Sequence, residues 1–232
     1  MSISERTHIR WFPDEASEPT STLVLTAHNR QFVDLRLVKP ADPLAPFTCL
    51  DWGIGGRSVG ILSHGEWIHD IDSRTENPDE KDEGDMHPHP ELPNVILERG
   101  KMRHPESGEI REYEEGWKDL VILPVGGPET GRRTSVVLET AFDASDKSAV
   151  AGTRRGLIVR VGQFCQAILR DGPSIVVERW LWTADEGWKM LARIGEGAHL
   201  PCDLTWSGEA LASGDHCSKE GIPWVVKEVR VW

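Results

Sequence analysis

The chain has 232 residues, long enough for one large all-β domain or two small barrels with a real core. It is 38 % apolar and 28 % charged, with a formal net charge of −12, a balance that repels nucleic acid and anionic membrane. No apolar run approaches the ~20 residues of a membrane span, the start MSISERTHIRW carries no apolar leader, and the four cysteines lack CxxC spacing, so the chain reads as cytoplasmic with reduced thiols.

Strand signals dominate from the first elements. STLVLTA (21–27) is a short apolar run, and FVDLRLVK (32–39) alternates, with Val33, Leu35 and Leu37 on one face and Asp34 and Arg36 on the other. HNR between them makes a hairpin connection. In LDWGIGG, Asp51 and Trp52 end a strand, and the glycines mark a bulge, a close backbone approach to a ligand, or a barrel corner.

EWIHDIDSR (66–74) carries the densest set of candidate groups. Alternation divides it into Trp67, His69, Ile71 and Ser73 on one face and Glu66, Ile68, Asp70, Asp72 and Arg74 on the other. The first set would give a pocket a Trp wall and a titratable imidazole. The second would pair Asp72 with Arg74 and offer Asp70 as an acid. Periodicity leaves the inward face open.

The tract NPDEKDEGDMHPHPELP (77–93) reads as a long acidic loop, placed at 76–93, and as a mobile lid. Its His87 and His89 lie on an extended Pro-rich frame that does not fix zinc geometry, so no metal is expected. LERGKMRHPESGEIREYEEGW (97–117) reads as a hairpin turning at 104–108.

PVGGPETGR (124–132) is the best break, giving an N-terminal unit 1–124 and a C-terminal unit 125–232, each with about five or six strands. In the second unit LIVRVGQF places Arg160 on a face with Ile158 and Phe164, and VERWLW places Glu178, Trp180 and Trp182 together. An inward Arg160 suits a planar oxyanion. Nucleophile and phosphate motifs are missing: there is no G-x-S-x-G, and GGRSVG lacks a P-loop lysine.

TLVLTAHNRQFVDLRLVKP, LDWGIGG and GLIVRVGQFCQAIL, in that order, resemble the fungal family named after a yeast protein that interacts with a casein kinase I homologue. The resemblance implies an all-β fold of two lipocalin-like antiparallel β-barrels with little helix. In size and all-β character the chain is also similar to fungal hetero-Diels–Alderases of tropolone–sesquiterpenoid biosynthesis. That likeness implies a cofactor-free pericyclase. A hydroxymethyl-tropolone would lose water to an o-quinone methide, which would add to a humulene-type sesquiterpene. It implies apolar small-molecule substrates and no cofactor; a homodimer is compatible with it.

No residue roles come with the resemblance. By residue type and neighbourhood, Asp70, Asp72 and His69 are candidates for the acid and Arg160 for the oxyanion donor. Trp52, Trp67, Arg74, Phe164, Trp180 and Trp182 are candidates for substrate contact. The alternatives are a carrier of lipophilic metabolites and a non-catalytic interaction protein whose acidic strip docks a basic partner. A barrel interior filled with side chains would remove both pocket readings.

Overall fold

The computed structural model describes residues 1–77, 81–126, 131–141, 154–197, 199–207 and 211–232. Eight strands form a closed antiparallel barrel in sequence order, β1 (Ser2–Trp11), β2 (Thr20–Thr26), β3 (Gln31–Val38), β4 (Leu50–Ser58), β5 (His64–Asp72), β6 (Lys81–Pro88), β7 (Ile96–Arg103) and β8 (Ile110–Asp119), with β8 returning to β1. Seven more form an antiparallel sheet: β9 (Thr134–Thr140), β10 (Arg154–Val161), β11 (Phe164–Asp171), β12 (Ser174–Thr183), β13 (Gly187–Ile194), β14 (His216–Lys219) and β15 (Ile222–Val231). Its order is β13-β12-β11-β10-β9-β15-β14, so the pair of barrels expected from sequence is one closed barrel plus a barrel-type sheet. Among the described residues the helix is a single 3-10 turn, Pro201–Thr205.

β3 explains how the two bodies join. Six consecutive residues, Phe32 to Leu37, are buried, so both faces of this strand are covered. Phe32, Asp34 and Arg36 line the barrel interior. Val33, Leu35 and Leu37 point outward into an apolar cluster with Leu23 and Leu25 of β2 and with Val137, Leu157, Val159, Ile168 and Val177 of the sheet. On this flank the barrel is thus apolar outside and polar inside. Gly55 of β4 permits the close approach, since a Cβ there would sit 2.9 Å from Ile168 Cγ2.

Polar side chains complete the junction. Gln166 donates to the carbonyls of Leu23 and Val33, both at 2.9 Å. Arg179 donates to the Leu35 carbonyl at 2.7 Å, to Ser21, and to Gln166 Oε1 at 2.7 Å. Burial without a close carboxylate lowers the Arg179 guanidinium to about 10.

Two readings of the sequence change here. Most of the acidic tract is not a loop: Lys81–Pro88 is β6, paired with β5 and β7 and required for barrel closure. It escapes pattern recognition because one face is charged and solvated and its inward face is built from Asp82, a glycine and Met86. Residues 78–80 of the tract, and 127–130 of the proposed interdomain break, lie outside the described residues. Second, Phe164 does not share a face with Arg160. Gly162, at φ 52°, turns the chain between β10 and β11, so Val161 faces Phe164 and Arg160 faces Cys165. The hairpin expected at 104–108 forms, with Arg103 opposite Ile110.

Candidate functional site

The barrel interior holds a cavity of about 1050 Å³. Its mouth lies where β1 begins, β8 ends, and the β4–β5 and β6–β7 connections turn. Ile61 and Leu62 on the first connection and Val121 beyond β8 are exposed apolar residues on this rim. Phe32, Trp52 and Ile54 form an apolar wall, with Val24, Trp67 and Met102 packed against it. Toward the opposite end the segment after β1 folds back, Ile9 bridging Ser17 and Arg6 reaching Glu18 at 2.8 Å.

One wall carries a histidine–aspartate pair created by a β-bulge. Gly56 lies opposite His69 while Gly55 lies opposite Ile71, so Asp70 is an extra residue in β5. The bulge breaks strict alternation: Trp67 and His69 face the cavity, Asp70 and Ile71 face away, and Asp72 returns inward. Only glycine fits at position 56, because a Cβ would fall 1.9 Å from the Ile68 carbonyl oxygen. His69 Nδ1 then meets Asp72 Oδ2 at 2.7 Å. Asp72 Oδ1 accepts from Trp52 Nε1 at 2.9 Å and from the Arg74 backbone N–H at 2.7 Å.

These contacts set the protonation states. Burial by itself raises the Asp72 carboxyl, but the hydrogen bonds from His69, Arg74 and Trp52 bring it below its ordinary value. Burial likewise disfavours an imidazolium at His69, yet Asp72 and Asp82 together push it up to about 9. His69 Nε2 lies 3.5 Å from Asp82 Oδ2, a long ion pair at the outer limit of hydrogen-bond distance. His69 is therefore a buried cation at neutral pH, held by an ionised Asp72.

The same cavity holds a second group of acids that the sequence reading missed. Arg36 Nη1 binds Glu115 Oε1 at 2.9 Å and its Nε binds Asp34 Oδ2 at 3.0 Å, and Arg6 also donates to Glu115. Glu98 accepts from Tyr113 Oη at 2.6 Å and from Trp117 Nε1 at 2.9 Å. Burial, then the charge of Glu115, raises Glu98 to about 8, so it is a neutral acid at pH 7. The alternation of Asp34 and Arg36 between apolar neighbours was visible in sequence. That polarity pointed into the barrel was not, because apolar faces ordinarily turn inward.

The candidate residues separate clearly. His69 and Trp67 line the cavity, and Asp72 and Trp52 stand behind them, Asp72 bound to His69 and Trp52 to Asp72. Arg74 also stands behind the cavity wall, its guanidinium 4.4 Å from the Trp52 ring centroid and bound to Asp51 at 3.0 Å, not to the Asp72 carboxylate. Asp70 lies on the outer surface in a two-bond pair with Arg57. Arg160, Trp180 and Trp182 belong to the second sheet. Arg160 is buried against the Trp188 ring at 5.0 Å and donates to the carbonyls of Gly162 and Thr205, and Trp180 packs beside Trp206. Phe164 packs on the apolar junction with the barrel. The loop histidine His89 accepts from the N–H groups of Glu91 and Leu92 and so orders the β6–β7 turn.

Fold and site together define an all-β protein built around one open, acid-lined barrel cavity and backed by a second antiparallel sheet. The chain belongs to the Protein HRI1 family, whose model matches residues 2–228. It is similar to the crystal structure of the uncharacterized protein YLR301w of Saccharomyces cerevisiae, with a TM-score of 0.71 at 16 % identity over 99 % of this chain and 98 % of that one. At that identity the likeness concerns the fold. No curated protein matches the chain.

Proposed function

We propose that the barrel is the pocket of a cofactor-independent pericyclase acting on apolar substrates. The observation that carries this reading is the His69–Asp72 pair opening onto a cavity of about 1050 Å³ with an aromatic wall. In this reading His69, protonated and held at Nδ1, presents its Nε2 proton to the substrate's carbonyl on binding and passes it to the leaving hydroxyl as that group departs, while Asp72 stabilises the cation before transfer. Glu98 is a second neutral acid within the same cavity. Trp67, Phe32 and Met102 hold the apolar partners face to face; proximity and orientation of this kind lower a barrier by up to about 7 kcal/mol in favourable cases.

The substrates we assign are a hydroxymethyl-tropolone, which loses water to an o-quinone methide, and a humulene-type sesquiterpene that it adds to. Incubating the two with purified protein, without metal or cofactor, and analysing adducts by chiral chromatography tests this. A single enantiomer formed faster than with boiled protein, and lost in His69→Gln, is expected. A racemic trace equal to the boiled control overturns the assignment.

The exposed apolar rim of Ile61, Leu62 and Val121 favours one second reading, a carrier that takes up lipophilic metabolites through the mouth. A carrier would bind the terpene and return it unchanged.

A further inference from the structure

Two side-chain atoms at the cavity are buried without a hydrogen-bond partner: Asp34 Oδ1 and His69 Nε2. Both residues line the cavity, at 4 % and 2 % exposure. Native proteins keep few such atoms, because desolvating a polar group without replacing its water bonds is costly. The remaining atoms of both side chains are committed, Asp34 Oδ2 to Arg36 and His69 Nδ1 to Asp72. Each side chain is thus locked in place with one atom that lacks a close hydrogen bond, Oδ1 on Asp34 and Nε2 on His69, the latter with Asp82 as a long ion-pair partner at 3.5 Å.

The two belong to one region of the wall. Asp34 lies opposite Ile54 and Phe32 opposite Gly56, which in turn faces His69. They are therefore two strands apart, about 10 Å across the sheet, and offset by two residues, roughly 7 Å, along it, with both side chains lining the cavity. The charge of Asp82, 3.5 Å from His69 Nε2, also acts on Arg36, which holds Asp34. An anionic ligand would meet Asp34, Asp82 and Glu115, and a cationic one would meet Arg36 and His69. A neutral molecule with one donor and one acceptor satisfies both spare atoms.

We propose that the cavity selects neutral molecules bearing a hydroxyl beside a carbonyl, the hydroxyl donating to Asp34 Oδ1 and the carbonyl accepting from His69 Nε2. This rests on the reading of the barrel as a small-molecule pocket and adds its specificity. The apolar body of the ligand lies against Phe32, Trp67 and Met102.

Benzoin, deoxybenzoin and 1,2-diphenylethanol share two phenyl rings and differ in which of the two oxygens they carry. Calorimetric titration of the full chain with each is the test. Benzoin is expected to bind at least tenfold more tightly than either analogue. Asp34→Ala removes its advantage over deoxybenzoin and keeps that over diphenylethanol; His69→Gln does the reverse. A merely structural role for either residue would weaken all three ligands together. If a variant does not fold, the comparison in the unaltered protein decides. Affinities within twofold of one another overturn the proposal, as does binding of the neutral dye N-phenyl-1-naphthylamine without binding of any of the three. In both cases the cavity reading stands. No binding of the three or of the dye removes both.

Discussion

His69 and Glu98 hold protons that exposed residues of their kinds would have released or shared by neutral pH, and folding stability follows. His69 binds its proton more tightly folded than unfolded, so this contribution is complete below pH 6.5 and is lost as pH rises through about 9. Glu98 behaves alike at lower pH: stability is highest below 4.5 and declines as pH rises to about 8. Urea melts between pH 5 and 10 are expected to show a continuous fall. His69→Gln flattens the limb above pH 7, where up to about 3 kcal/mol is at stake, and Glu98→Gln flattens the limb between pH 5 and 8. Slopes unchanged by either substitution would contradict the assignment of those protons.

At the level of elements, β5 shows where sequence reading stops. Its residue types were legible: Trp67, His69 and Asp72 are in the site. Their arrangement was not, since strict alternation puts His69 and Asp72 on opposite faces. The extra residue Asp70 brings them together, and the cause lies in another strand, at Gly56, which leaves room for the Ile68 carbonyl. Gly56→Ala is expected to cost about 3 kcal/mol and to break the His69–Asp72 contact, visible as an imidazole pKa that falls from about 9 toward 6.5. An alanine variant as stable as the parent, with the imidazole unmoved, would show that β5 does not need the bulge. β6 failed for a different reason. Its sequence lacks an apolar stripe because its inner face meets a polar cavity, so composition alone resembles a loop.

For the whole molecule, the second sheet supports the barrel without entering the pocket. Val33, Leu35 and Leu37 are fully buried against it, and Gln166 and Arg179 bind carbonyls on β2 and β3. Leu35→Ala is expected to destabilise the protein by about 2–5 kcal/mol while leaving ligand affinity within twofold, since position 35 faces away from the cavity. Barrel and sheet are expected to unfold in one transition, reported alike by tryptophan fluorescence and circular dichroism. A fragment of residues 1–124 that melts like the intact chain would refute that dependence. The all-β class was readable from strand and turn spacing; the junction was not, because the outward position of an apolar stripe depends on a partner 100 residues further along the chain.

Neighbouring positions on β3 answer to different demands. Residues 33, 35 and 37 belong to the seam, and 32, 34 and 36 to the chamber. A lineage can therefore exchange what the chamber accepts without reworking how the halves adhere, and can drift at the seam without changing its ligand. Homologues with this architecture are expected to be a series of differently furnished rooms behind one wall, so that shared ancestry predicts their shape far better than their chemistry.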